Sequence, residues 1–456
     1  MMELDVATRR VEQNSGVELP FRILILGDFG APTTRPVTVD RDNFDELIAR
    51  LGVKLTLPVT GEIQFTSLDD FHPDGLYARV DAFRALREAR RRLEDPATFQ
   101  ATAKQLQNTS PTEKPNPAAF LNAGSLLDEI VEGHGEGAAA SSAADPFTEY
   151  VRRIAAPYLV PRPDPKQAEM LAQIDAATAG LMRALLHRPE FQALEAAWRA
   201  LFFLICNIET GVDLKVYLLN LPKQALTADL LPASDLSQTA LYKVLIQDLA
   251  LPGSQPWSVI AGNYTFTAAN DDVELLGRIG LLASSAHTPF FAAAAPEPGT
   301  WLSPAVAWRE LQQIPEARYL GVALPRFLLR LPYGENSSNI ESFVFEEMPD
   351  GSKHDEYLWG NPVFACVRLL AEAFSLDGWA LRPGTMLDID GLPIHVYRED
   401  GEPVTKSCTE FPISYADAQK LIENGLMPLV SMKDSDRIHL AGFRAVNGEP
   451  LAGPWS

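Results

Sequence analysis

Cysteine is scarce in this chain. Cys206, Cys366 and Cys408 are the three in 456 residues, and none forms a Cys-x-x-Cys pair. That excludes a disulfide framework and makes a reducing compartment the default. Cys206 and Cys366 stand in apolar runs and read as small buried hydrophobes. Positive charge is also in deficit: 60 Asp and Glu oppose 39 Lys and Arg, for a net charge of −21. Such a surface repels nucleic-acid phosphates and anionic lipid heads, so neither is expected as a partner, and it favours solubility. Long apolar runs are missing too. None approaches the roughly 18 residues of a membrane-spanning helix, and the opening MMELDVATRRVEQNSGVELP is polar, without a signal-peptide core. A cytoplasmic protein with no membrane insertion is expected.

The signatures of common chemistry are lacking as well. There is no GxxxxGK[ST], and Gly27-Asp28-Phe29-Gly30 lacks the GxGxxG spacing, so it reads as a tight strand-to-loop turn. The seven histidines form no HxxxH or HExxH. Asp69-Asp70-Phe71-His72-Pro73-Asp74 has metal-ligand residue types, but Pro73 biases His72 away from helix, and Asp70 and Asp74 read as turn and N-cap groups. No GxSxG elbow occurs, and Cys206 and Cys408 have no partner base visible in the sequence. No catalytic residue, cofactor or metal is assigned. The rival class is an enzyme whose pocket is assembled from distant residues; its mark would be a polar cleft holding His287 or His395 beside a carboxylate.

What is present is a helix–turn–strand unit of high apolar content. Leu194, Ala197, Trp198, Leu201, Phe202 and Ile205 recur at three and four residues, which predicts a helix. Glu209-Thr210-Gly211 breaks the pattern, with Gly211 expected at positive φ as the stop. Leu214, Val216 and Leu218 then alternate with polar residues as a strand. Around this unit, residues 1–17 read as a polar arm and 18–106 as a small α/β domain. That domain holds strands at Phe21–Leu26, Pro36–Val39 and Ile63–Phe65. It also holds a helix capped by Asp42 or Asn43 and stopped by Gly52, and an amphipathic helix from Asp74 to Leu93. Residues 107–145 are rich in Pro, Gly, Ala and Ser and read as a flexible linker. Inside the linker, 120–132 (FLNAGSLLDEIVE) is a short amphipathic segment with Leu126, Leu127, Ile130 and Val131 as its apolar face. A helix this short is marginal alone and is expected to order only against a surface.

Residues 146–456 read as the larger part. Helices are expected at Tyr150–Ala156, Gln167–His187, Ser237–Leu249, Asp271–Ser285 and Pro362–Leu376. Strands are expected at Trp257–Gly262, His287–Phe291, Arg318–Ala323 and Ile394–Arg398. The alternation argues for an α/β fold with crossover connections. Leu324 to Gly334, LPRFLLRLPYG, packs bulky residues between prolines and arginines. Two readings stand open: an interaction surface formed by Arg326, Phe327 and Arg330, or a buried connection whose arginines meet carboxylates. Glu346-Glu347 offers such a carboxylate pair.

These words carry a resemblance to two families of the type VI secretion system contractile sheath. LPFRILILGDFG (Leu19–Gly30), VTVDRDNFDELIARLG (Val37–Gly52), Ile63–Phe65 and the run beginning SLDDFHPDGLYARVDAF at Ser67 resemble the small subunit (TssB/VipA). SLLDEIVE, LEAAWRALFFLICNIETG, TALYKVL, ELLGRIGLLASSAHTPFFAAAAP, ARYLGVALPRFLLRLPYG, YLWGNPVFA, GLPIHVY and KSCTEFPIS resemble the large subunit (TssC/VipB) across residues 124–435. The resemblance implies a mixed-sheet sheath-type fold and a fusion protein, with a structural, non-enzymatic role in bacterial secretion. The implied partners are other copies or sheath subunits in a helical or ring assembly tied by exchanged strands, an inner tube protein, a baseplate, and an AAA+ ATPase that recycles contracted sheath. Ser125–Glu132 resembles the segment which that ATPase grips, so Leu126, Leu127 and Ile130 are its expected contacts. In this chain that segment is internal. The chain also stops at Ser456, where family large subunits continue. A cap, nucleator or adaptor that does not polymerise is therefore the alternative to a polymerising subunit.

Overall fold

In the computed structural model, the described residues are 19–108 and 165–455, apart from 59, 249–253, 336, 350 and 352. The expected arm, the amphipathic segment 120–132 and the helix at Tyr150–Ala156 lie outside them.

The centre of the molecule is a nine-stranded mixed sheet. Its strands are β1 (Phe21–Gly27), β2 (Val37–Val39), β5 (Leu214–Asn220), β6 (Val259–Phe266), β7 (Phe290–Ala294), β8 (Leu320–Leu324), β11 (Asp388–Ile389), β14 (Met427–Ser431) and β15 (Ile438–Leu440). They run in the order β11-β15-β14-β8-β7-β6-β1-β5-β2. The inner strands from β14 to β5 are mutually parallel, while β2, β15 and β11 are antiparallel to their neighbours. Three two-stranded sheets complete the strands among the described residues: β3 (Lys54–Leu57) with β4 (Gly61–Gln64), β9 (Phe327–Leu328) with β10 (Trp359–Gly360), and β12 (Val396–Glu399) with β13 (Glu402–Thr405).

Strand β1 shows why its sequence is so apolar. It lies between β5, from Phe21↔Leu214 to Gly27↔Asn220, and β6, from Ile23↔Val259 to Leu26↔Gly262. Phe21, Ile23 and Ile25 point into one core, and Leu24 and Leu26 into the other. A parallel strand covered on both faces needs a near-continuous apolar run. Arg22 is the exception, held between the rings of Tyr217 and Trp257 at 4.7 and 4.0 Å.

Helices cover both faces. The described helices used below are α1 (Phe44–Leu51), α2 (Pro73–Arg79), α3 (Arg84–Glu94), α4 (Phe99–Asn108), α5 (Pro165–Leu186), α6 (Pro189–Cys206), α7 (Lys223–Leu230), α8 (Asn270–Ser285), α9 (Val306–Gln312), α10 (Val363–Asp377) and α11 (Tyr415–Glu423). The core on one face takes side chains from α1, α6 and α10; the core on the other takes them from α7, α8, α9 and α11.

β1 and β2 of the first part of the chain are built into the sheet of the second, and one core joins them. Several expectations need correction. The helix expected from Asp74 to Leu93 is broken at Val80, whose ψ is 126°. Arg87 donates to the carbonyls of Tyr77 and Val80, so the freed helix end is satisfied. Gly211 is not in the positive-φ region. α6 ends earlier, at Asn207, whose side chain donates to Phe203 O at 2.7 Å. Gly52 does stop α1, at φ 64°. The strand expected from His287 begins only at Phe290, because His287 sits in a turn at φ 52°. Neither Asp271 nor Asp272 is an N-cap, since Ala269 holds that place. Asp272 instead accepts from Thr267 N at 2.7 Å and pairs with Lys223 at 2.6 Å.

Candidate functional site: the joint between the two segments

The joint between residues 19–108 and 165–455 has an apolar wall and a polar wall. α6 forms most of the first. Its apolar stripe, one residue in three or four, packs Trp198 against Phe29 and Phe44, with ring centroids at 5.4 and 5.7 Å. Trp198 is fully buried, and its indole donates to Phe29 O at 3.1 Å, so the polar end of the ring is satisfied. Phe65 and Phe71 stack at 4.1 Å, and both meet Phe191 at the start of α6. β1 is the innermost piece of this wall.

The polar wall is built by the run from Ser67 to Tyr77. Asp70 is buried and accepts from Thr66 N, Thr66 Oγ1 and Ser67 N at 2.6, 2.8 and 3.2 Å; it also pairs with Arg79. Burial opposes its charge, yet these donors hold its carboxyl below the usual range. It is a turn group, as its position before α2 suggests. Asp74 differs from expectation. His72 is the N-cap of α2, accepting from Asp74 N at 3.3 Å. The Asp74 carboxylate reaches across the joint, accepting from Glu341 N at 3.1 Å and Ser342 N at 2.9 Å. Beside it the edge of the His72 ring meets Tyr333 at 4.9 Å, and Tyr77 meets Phe343 at 4.9 Å.

Behind Tyr333 lies a buried charge cluster. Arg330 donates to Glu195 (Nε to Oε1, 2.8 Å) and to Glu347 (Nη1 to Oε2, 2.7 Å). Arg199 pairs with Glu195 at 2.7 Å and donates to the Tyr333 hydroxyl at 2.8 Å. Tyr333 N donates to Glu347 at 2.7 Å, and the Arg330 guanidinium lies over the Tyr333 ring at 4.1 Å. Glu195 and Glu347 are both 0% exposed. Burial alone would raise the Glu347 pKa, but the Arg330 charge and the donors around it bring it down to about 2. Burial, with Glu195 beside it, pushes Tyr333 up to about 12. A buried carboxylate is tolerable only when paired and hydrogen-bonded in this way.

This geometry separates the residues of the Leu324–Gly334 run. Phe327 is fully buried and Arg330 is sealed in the cluster. Those two are therefore parts of a buried connection, and the surface reading fails for them because their atoms already have partners inside the chain. Arg326 is 39% exposed but engaged with Glu410 at 2.9 Å. Leu126, Leu127 and Ile130 lie outside the described residues. Glu195 escaped the sequence reading: it looks like one polar residue on a helix, and only its i,i+4 spacing to Arg199 hinted at a role.

Among the described residues no group of three or more His, Cys, Asp or Glu could hold a metal ion. His287 meets the Tyr319 hydroxyl at 3.3 Å and His395 the Tyr357 hydroxyl at 2.6 Å, so each faces a phenol in place of a carboxylate. A cavity of about 250 Å³ between α6 and Gly391–Pro393 is lined by the Cys206 thiol, with no imidazole or carboxylate to activate it. Burial pushes that thiol up, and pushes Cys366 to about 12 and Cys408 to about 11.

Comparison with known proteins finds two families. The family described as VipB, EvpB/VC_A0108, tail sheath N-terminal domain, matches residues 168–298 and 303–447. The family described as type VI secretion system, VipA, VC_A0107 or Hcp2, matches residues 1–109. The type VI secretion system sheath protein TssC1 of Pseudomonas aeruginosa is 33% identical over 301 residues, 61% of this chain and 60% of that protein. The chain thus spans about 60% of the length of this curated relative. Since the first match covers more than half of its residues, the chain belongs to the VipB tail-sheath family, with a VipA-type segment on the same polypeptide.

Proposed function

We propose that this chain is a structural, non-enzymatic subunit of a type VI secretion-like contractile sheath, uniting both subunit types. The observation that carries the reading is β1. A strand of the VipA-type segment completes the sheet of the VipB-type segment, so the two form one unit fixed at a 1:1 ratio. Joining them on one chain also raises their effective concentration. The unit works in the cytoplasm, in keeping with the reduced cysteines and the lack, among the described residues, of a helix able to cross a membrane.

Its partners are other copies or other sheath subunits, the inner tube protein, the baseplate, and a recycling AAA+ ATPase that grips the internal segment through Leu126, Leu127 and Ile130. Negative-stain electron microscopy of the purified chain, with and without the tube protein, tests the reading. Tubules or stacked rings are expected. Discrete particles in both samples would replace it with a cap, nucleator or adaptor. Charged substitutions at Leu126, Leu127 and Ile130 are expected to abolish ATPase binding, and unchanged binding would remove that partner.

A further inference from the structure

The chain is strongly acidic, yet one helix is not. Helix α3, Arg84–Glu94, carries five arginines and two acids, Glu88 and Glu94, a surplus of three positive charges. The buried side of α3 is occupied: Arg87 holds the end of α2, and Arg90 holds Asp175 on α5 at 2.9 Å. The outer face is not. Arg91 and Arg92 share the single carboxylate of Glu88, Arg91 remains 76% exposed, and no ion pair among the described residues engages Arg84. Like charges crowded on one helix face repel until a partner neutralises them.

The opposite feature lies at the far end of the sequence. Among the described residues, hairpin β12–β13 pairs only with itself and stands apart from the nine-stranded sheet. Its tip carries Glu399, Asp400 and Glu402, all exposed and in no ion pair among the described residues. Val396 and Ile394 at its base are 57% and 38% exposed. A two-stranded ribbon is marginal in water by itself, so packing against another surface would stabilise it.

We propose that the arginine face of α3 docks the acidic tip of the β12–β13 hairpin of a second copy of this chain. The two surfaces are complementary in charge and come from different elements, α3 and β12–β13, so each copy offers one of each to its neighbours. It rests on the sheath reading above and names one contact of that assembly.

The test is sedimentation velocity on the full chain across protein concentration, at low and high salt, with thermal melts to confirm folding. Association is expected to weaken at high salt, where exposed charges are screened. Arg84→Glu with Arg91→Glu, and separately Glu399→Lys with Glu402→Lys, are each expected to weaken it about tenfold. A chain carrying all four substitutions restores complementarity and is expected to recover association. Assembly that survives both reversals, or a folded four-fold variant that does not recover, overturns this contact and leaves the sheath reading standing. A wild-type chain that stays monomeric at every concentration removes this contact, and the sheath reading then falls only if the tube protein also fails to bring about assembly.

Discussion

Strand β1 and the hairpin β12–β13 are both short, yet they occupy opposite situations. β1 has neighbours on each side and a core on each face; all its residues but Arg22 are buried. Among the described residues the hairpin pairs with no other strand, and its residues are exposed or half-buried. What separates them is sequence distance. β1 pairs with strands that begin far later in the chain, at Leu214 and Val259. The hairpin pairs across a two-residue turn at Asp400 and Gly401, both at positive φ. The long-range element is committed to the fold, and the local one is left available for assembly.

Breaking the committed side is expected to have the largest effect. Arg330→Met leaves Glu195 and Glu347 buried without their shared cation, and a loss of about 3–5 kcal/mol is expected in denaturant unfolding. Adding Glu347→Leu to the same chain is expected to recover part of it, because Glu195 keeps its pair with Arg199. Ile25→Ala should cost about 2–5 kcal/mol, because both faces of β1 are packed and little can collapse into the gap. A cost under 1 kcal/mol would mean that β1 is not the sealed centre described above.

Acid should act on the same side. The Glu347 pKa is lower folded than unfolded, about 2 against 4.5, so its contribution is present above pH 4.5 and lost as pH falls from there toward 2. Melting temperature is expected to drop steeply across that window, and Glu347→Gln to flatten part of the drop. The smallest effect belongs to the hairpin. Glu399→Lys is expected to change stability by no more than about 0.5 kcal/mol, even where it changes association. A larger loss would show that the tip is tied to the fold.

Much of the fold was legible. The period of three to four from Leu194 to Ile205 gave α6, and the unbroken apolar run at Phe21–Leu26 gave β1. Gly52 ended α1 as expected, because only the left-handed φ closes that turn cheaply. Other signals misled for physical reasons. Asp74 and Asp272 have the chemistry of N-caps, but each found stronger donors elsewhere. The run from Asp74 to Leu93 kept a helical pattern although Val80 is extended, since a break of one residue leaves the apolar spacing nearly intact. Of the joint, Glu347 was visible as a carboxylate near the arginines, whereas Glu195 was not, because burial of a helical glutamate depends on what packs over it.

The sequence by itself determined the α/β class, the helix and strand at the heart of the joint, the acidic balance, the absence of recognisable catalytic spacing, and the likeness to both sheath families. These follow from local periodicity, composition and wording. The tertiary structure alone decided that the two segments share one sheet, that Arg330 and Phe327 face inward, and that Asp74 reaches across to Glu341 and Ser342. Each is a contact between residues far apart in the chain, and such contacts are set by packing and desolvation, which leave no periodic trace in the sequence.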